Sequence, residues 1–125
     1  MTYPNLLKMN VSSSKDSMLQ AVPGNQSEIS VKIDYFNVKK AALVLRALNH
    51  KLRQQIIKIL EENSRMTVTD LYIMLRLEQS VASQHLAILR RAGILKTERD
   101  GKYIYYRVNE ERVMQINQFV DSLLK

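Results

Sequence analysis

The stretch "EQSVASQHLAIL", residues 78–89, sets serines and glutamines among leucines at helical spacing and holds one of the chain's two histidines. At 100° per residue, Ala82, Leu86 and Leu89 fall together and turn toward a core. Ser80, Ser83, Gln84, Ala87 and Arg91 fall on the opposite face. That face is polar, nearly uncharged until its end, and built of small residues that allow close approach to a surface. A glutamine side chain can pair with both edge atoms of adenine, serine can bond to several bases, and an alanine can touch a thymine methyl, so such a face suits the major groove. His85 sits at the edge of the core stripe beside Val81 and Ile88. It reads as a half-buried histidine holding a hydrogen bond, within reach of a phosphate, and not as a metal ligand. Its one histidine partner, His50, belongs to another helix, and no carboxylate lies three or four residues away.

Upstream, Thr67 is a candidate N-cap, and Asp70 can answer it as a capping box does. Leu71, Met74 and Leu75 supply an apolar stripe for a short helix near 67–75, and "RLEQ" is a brief connector. Ser80 is expected to cap the next helix, which runs to about Arg91 and stops at Gly93. Two short helices joined by a brief turn give a helix-turn-helix outline. Downstream the period changes to two. "ILKTER" and "KYIYYRV" flank Asp100-Gly101, a strong hairpin signal in which both turn residues are expected at positive φ. The hairpin tip carries Arg99 and Lys102 flanked by Tyr103 and Tyr105, a cationic tip able to clamp a phosphate backbone or enter the minor groove. Tyr103 and Tyr105 alternate with Ile104, Tyr106 and Val108, so one tyrosine set is expected in the core.

Residues 110–124 form a last helix with Val113, Ile116, Val120, Leu123 and Leu124 on one stripe. Residues 35–48 are apolar nearly all round, and a helix of that kind must be covered on every side. A domain this small covers one face, which leaves the other for a second subunit. Asn49 is expected to cap a helix over 50–62 with Leu52, Ile56, Ile59 and Leu60 inward. Arg53 and Lys58 are expected outside or paired with neighbours. Residues 1–30 hold both prolines and six serines without periodicity and read as a flexible arm turning at Pro23-Gly24. The domain proper is 31–125, mainly α with a β-hairpin wing, in the order α-α-α-α-β-β-α.

The chain has 125 residues, enough for one domain, and a net charge of +7. The excess is uneven: residues 79–107 carry six basic groups against Glu98 and Asp100. Nucleic acid is the partner this distribution favours. Zero cysteines exclude disulfides, thiolate metal ligands and thiol redox sensing. The longest apolar run, Ala41 to Leu45, is far too short to span a membrane, and no secretory pattern opens the sequence. A cytoplasmic protein is expected. No nucleophile–base pair, phosphate loop or metal cluster is legible, which argues against an enzyme.

From about Leu45 to Val108 the chain resembles the ArsR/SmtB family of bacterial winged helix-turn-helix repressors. "RALNHKLRQQIIKIL", "TVTDLYIMLRLEQSVASQHLAILRRAGIL" and "RDGKYIYYRV" carry the likeness, and Ser80 to Gly93 is its most specific part. The resemblance implies a homodimer through the first and last helices, near 35–48 and 110–124. It implies base contacts from Gln79, Ser83 and Gln84, with Ser80, Arg99 and Lys102 near the backbone. Arg91, Tyr103 and His85 join that backbone set on position. Where metal-sensing members have a Cys-Val-Cys-Asp-Leu run, this chain has Thr67-Val68-Thr69-Asp70-Leu71, and threonine supplies no thiolate. Beyond His85 there is no histidine for a zinc site on the last helix. No metal or cofactor is expected, and the effector is unknown. The reading is a sequence-specific, dimeric repressor of double-stranded DNA acting by promoter occlusion. The alternative is a winged-helix protein-interaction module without DNA binding.

Overall fold

The computed structural model describes residues 31–125; the arm read over 1–30 lies outside the described residues. Seven elements follow in the expected order: α1 Tyr35–Leu48, α2 Lys51–Asn63, α3 Val68–Leu75, α4 Gln79–Arg91, β1 Leu95–Asp100, β2 Tyr103–Val108 and α5 Glu110–Leu124. Asp34 caps α1 by accepting from the Asn37 N–H at 3.1 Å. The expected cap of α2 moves by one residue. The Asn49 N–H still bonds to the Leu45 and Arg46 carbonyls and so closes α1. His50 is instead the extended residue, and its Nδ1 accepts from the Leu52 N–H at 3.1 Å.

Thr67 and Asp70 form the reciprocal capping box at the start of α3. That helix ends at Arg76 in the left-handed region, with Leu77 N–H on the Tyr72 carbonyl. Only Arg76, Leu77 and Glu78 separate α3 from α4. Ser80 is not the cap of α4. Glu78 holds that position and accepts through its main-chain carbonyl alone, so Ser80 lies inside the first turn with its side chain exposed. Gly93, at φ +80°, ends α4 in a Schellman motif: its N–H reaches the Arg90 carbonyl at 2.9 Å, and the Ile94 N–H reaches that of Leu89 at 3.0 Å. Leu89 and Ile94, which bracket that turn, are both fully buried.

The hairpin is antiparallel with Leu95 opposite Val108 and Asp100 opposite Tyr103. The two-residue loop is therefore Gly101-Lys102, shifted by one from the expected Asp100-Gly101. Gly101 alone has positive φ, +67°, the dihedral pattern of a II′ turn. The shift has a tertiary cause: Arg65 binds Asp100 at 3.0 Å and Glu98 at 3.2 Å, holding both acids within the strand. Met66 and Tyr106 exchange backbone bonds at 3.1 and 2.8 Å, which ties the hairpin to the segment before α3.

Ile56, Leu60, Leu71, Leu86, Leu89, Ile94 and Leu95 are the largest fully buried side chains, drawn from α2, α3, α4, β1 and the turn between the last two. The predicted inward residues of α4 are all in this core. Tyr106 packs against it while Tyr103 and Tyr105 sit on the other face of the strand with ring centroids 6.3 Å apart. One expectation fails: Met74, with neighbouring Ile73, faces outward. Arg53 is buried and paired with neighbours, and Leu123 and Leu124 of the α5 stripe are exposed at its end.

Candidate nucleic-acid interface

The outer face of α4 presents Gln79, Ser80, Ser83 and Gln84 to solvent, with Ala87 half-buried behind them and Arg90 and Arg91 exposed at the end. None of the four polar residues carries a charge, and α4 has no side-chain cap bond at its start. A helix N-terminus in that condition offers N–H groups and a positive dipole end to an approaching anion. On the wing, Arg99 and Lys102 are exposed, Tyr103 is half-exposed, and the Lys102 ammonium lies 5.5 Å from the Tyr103 ring centroid. Every residue expected to read bases, and every wing residue expected near a backbone, is thus accessible.

His85 differs. Its ring is half-buried, and its Nδ1 faces Nη1 of Arg53 at 3.2 Å. A guanidinium only donates, so Nδ1 accepts and the ring proton of the neutral imidazole is on Nε2. The His50 ring is 4.9 Å away, so the fold brings together two histidines that the sequence put on separate helices. Burial holds the His85 pKa below its ordinary value, and the nearby His50 and Arg53 charges act in the same direction. The Nδ1 atoms of both histidines are already engaged. Among the described residues no three His, Cys, Asp or Glu side chains come together as metal ligands.

Arg53 takes the second of the two places expected for it, paired with neighbours, and is only 8% exposed. Its Nε donates to the Ala47 carbonyl at 2.7 Å and its Nη2 to that of Arg46 at 3.3 Å. Those two carbonyls belong to the last turn of α1, which has no following turn to bond. Arg53 donates to both and turns an Nη1–H to His85, so α1, α2 and α4 meet at one guanidinium.

Arg65 plays the matching part for the wing. Besides its two carboxylates, its guanidinium carbon lies 4.0 Å from the Tyr105 ring centroid. Glu98 also accepts from Arg107 at 3.0 Å, and that bond, with Arg65 adding to it, holds the Glu98 carboxyl below its ordinary pKa. No sequence pattern near Arg65 announces this role, because its partners are more than thirty residues away.

Helix-turn-helix, two-stranded wing and flanking helices define the winged helix-turn-helix class. The chain belongs to the arsR family of bacterial regulatory proteins, whose model matches residues 50–97. It is 36% identical over 85 residues to an HTH-type transcriptional regulator, MJ1325, of Methanocaldococcus jannaschii, covering 68% of this chain and 96% of that one. It is 33% identical over 92 residues to the transcriptional repressor PagR of Bacillus anthracis, covering 74% and 92%. The transcriptional activator HlyU of Vibrio cholerae is 31% identical over 105 residues, covering 84% and 92%. The crystal structure of PagR superimposes with a TM-score of 0.56 at 32% identity, covering 70% of this chain and 99% of that one. No described helix is long and apolar enough to cross a membrane.

Proposed function

We propose that the protein is a dimeric, sequence-specific DNA-binding repressor that acts by occluding a promoter. The observation that carries this reading is the exposed, uncharged polar face of α4, Gln79, Ser80, Ser83 and Gln84, on a domain whose wing ends in Arg99 and Lys102. Gln79, Ser83 and Gln84 read base edges. Ser80, Arg91, Arg99, Lys102 and Tyr103 hold the sugar–phosphate backbone, where position is fixed without sequence information. His85 is the odd member of the backbone set: its engaged Nδ1 turns inward, so only its Nε2–H is left to reach a phosphate.

The dimer uses α1 and α5. Phe36, Val38 and Leu43 are exposed on α1, and Met114, Phe119, Leu123 and Leu124 on α5, an apolar surface that a monomer would leave wet. Two copies would set their α4 helices in successive major grooves, about 34–36 Å apart. Repression is preferred on the likeness to PagR and because occlusion needs no further surface; HlyU, an activator, is the counterexample within the same family.

The test is fluorescence anisotropy of the upstream DNA of this gene against a scrambled duplex, at about 150 mM salt. Preference of at least ~10³-fold for the upstream duplex supports specific regulation. Weak and equal binding to both, with the same result across a library of genomic duplexes, would reject it and leave the protein-interaction reading.

A further inference from the structure

Along α1 runs a groove with two different halves, one against α5 and the other against the end of α4, with Arg112 between them. One half is a cavity of about 230 Å³ lined mainly by Val44, Leu45, Ile116 and Phe119. The other, about 490 Å³, is bordered by Lys40, Arg91 and Arg112 beside Leu43, Ala47 and Ile88. Val44 and Arg112 line both, so the halves adjoin. Pockets that hold small molecules run about 300–1,000 Å³, and this groove falls in that range.

Three cations and no carboxylate line it. Arg112 is half-buried, its Nη2 donates to the Ala92 carbonyl at 3.3 Å, and its Nε is buried without an acceptor. Among the described residues, neither Arg112, Arg91 nor Lys40 forms an ion pair. The Arg112 Nε is enclosed beside Gly93. The rest of the guanidinium lines both halves of the groove with no carboxylate to balance its charge, and a half-buried cation of that kind favours an anion. The guanidinium fork matches a carboxylate well. We infer that the groove binds a small amphipathic monocarboxylate, its apolar body against Val44, Ile116 and Phe119 and its head group against Arg112, with Arg91 and Lys40 adding charge.

The outward Phe36 and Met114 stay on the surface, where a second copy can cover them, and the ligand lies beneath that interface. Arg91 also ends the helix that carries Gln79, Ser83 and Gln84, so the head group touches the proposed reading element directly. This regulatory consequence rests on the DNA-binding reading above; the binding site does not.

The experiment is isothermal titration of the free full-length protein with decanoate, with decyltrimethylammonium and decanol as tail-matched controls. Saturable uptake of decanoate but of neither control is expected, with affinity falling about tenfold or more in Arg112→Gln. Val44→Phe, which fills the shared wall and leaves every charge in place, should abolish uptake; far-UV circular dichroism establishes that each variant is folded. No uptake of decanoate, equal uptake of decanol, or unchanged affinity in folded Arg112→Gln overturns the proposal. A groove closed by carboxylates of a second copy would appear as no uptake together with a weaker dimer in Arg112→Gln, and also overturns it. In a second arm, decanoate is added to the complex with upstream DNA, and its affinity is expected to change in the parent and not in Arg112→Gln. Specific DNA binding indifferent to saturating decanoate removes the regulatory consequence. Absence of specific DNA binding with decanoate uptake intact instead removes the DNA reading and leaves the site.

Discussion

Arg53 Nη1 stands 3.2 Å from Nδ1 of His85, so α4 is bonded to a buried cation that also closes the last turn of α1 through the Ala47 and Arg46 carbonyls. Arg53→Met keeps the apolar stem and removes all three bonds, leaving the Ala47 carbonyl and a histidine nitrogen without a donor and the Arg46 carbonyl with the Asn49 N–H alone. Bonds from a charged group contribute about 1.5–3 kcal/mol each, with strong overlap at a shared site. The expected loss is about 2–4 kcal/mol in urea unfolding, far above that of a surface arginine. A loss under about 0.5 kcal/mol would mean that water serves those carbonyls equally well.

The same contact makes stability depend on pH. The folded His85 pKa lies below the ordinary 6.5 because of burial first, then His50 and Arg53. A neutral ring is therefore favoured in the fold, and the unfolded chain binds more protons as the solution is acidified. The stabilisation is fully present above 6.5 and is lost as pH falls through the lower folded value. Urea midpoints measured between about pH 8 and pH 5 should decline on the acid side, and His85→Gln should flatten that decline. An identical slope in the variant would assign the acid sensitivity to another group.

The helix-turn-helix and the wing were legible because each rests on local signals: apolar spacing in α4, the Thr67–Asp70 box, Gly93, and alternation across the strands. What escaped is tertiary. Arg53 could be placed only as outside or paired, since nothing in its neighbourhood says that the end of α1 lies against it. The loop shifted from Asp100-Gly101 to Gly101-Lys102 because Arg65, distant in sequence, holds Asp100 in the strand. Met74 was assigned to the core of α3, but a helix spanning only Val68–Leu75 fully buries Leu71 alone. The polar face of α4 could be read residue by residue, whereas the Arg112 groove needs α1 and α5 side by side.

Base reading and backbone holding should separate by mutation. Gln84→Ala removes an exposed amide from α4 and is expected to cost about 1–3 kcal/mol at the preferred site while relaxing discrimination at one base pair. Lys102→Ala should weaken binding to every duplex and flatten the salt dependence. Anisotropy titrations over single-base operator variants and over a salt series read both effects. Equal affinities of parent and Gln84→Ala across the whole panel would remove Gln84 from the reading set.

Arg65→Ala should loosen the wing with little change in global stability. Its partners Glu98 and Asp100 are solvent-accessible, and exposed ion pairs contribute little to folding. Its contact with the Tyr105 ring and its place next to Met66 nonetheless add to the hold that buried Leu95 and Val108 keep on the hairpin. Amide exchange at Tyr106, whose N–H bonds to the Met66 carbonyl at 2.8 Å, is expected to speed up while exchange at core amides of α2 stays as in the parent. Uniform acceleration throughout would instead mark Arg65 as part of the core's stability.

The two left-handed glycines should respond differently to alanine. Gly101, at φ +67°, has open space where a Cβ would go, so Gly101→Ala meets only the backbone strain of about 1–2 kcal/mol. Gly93, at φ +80°, would place its Cβ 3.1 Å from Nε of Arg112, adding to the same strain a tight contact from which the arginine must shift slightly. Gly93→Ala is therefore the more destabilising, and the difference should shrink when Arg112 is shortened to Gln. A double-mutant cycle over Gly93→Ala and Arg112→Gln, read by urea unfolding, is expected to be non-additive by at least about 0.5 kcal/mol. Additive losses would mean that the Arg112 side chain swings aside freely and that Gly93 is required by its dihedral angle alone.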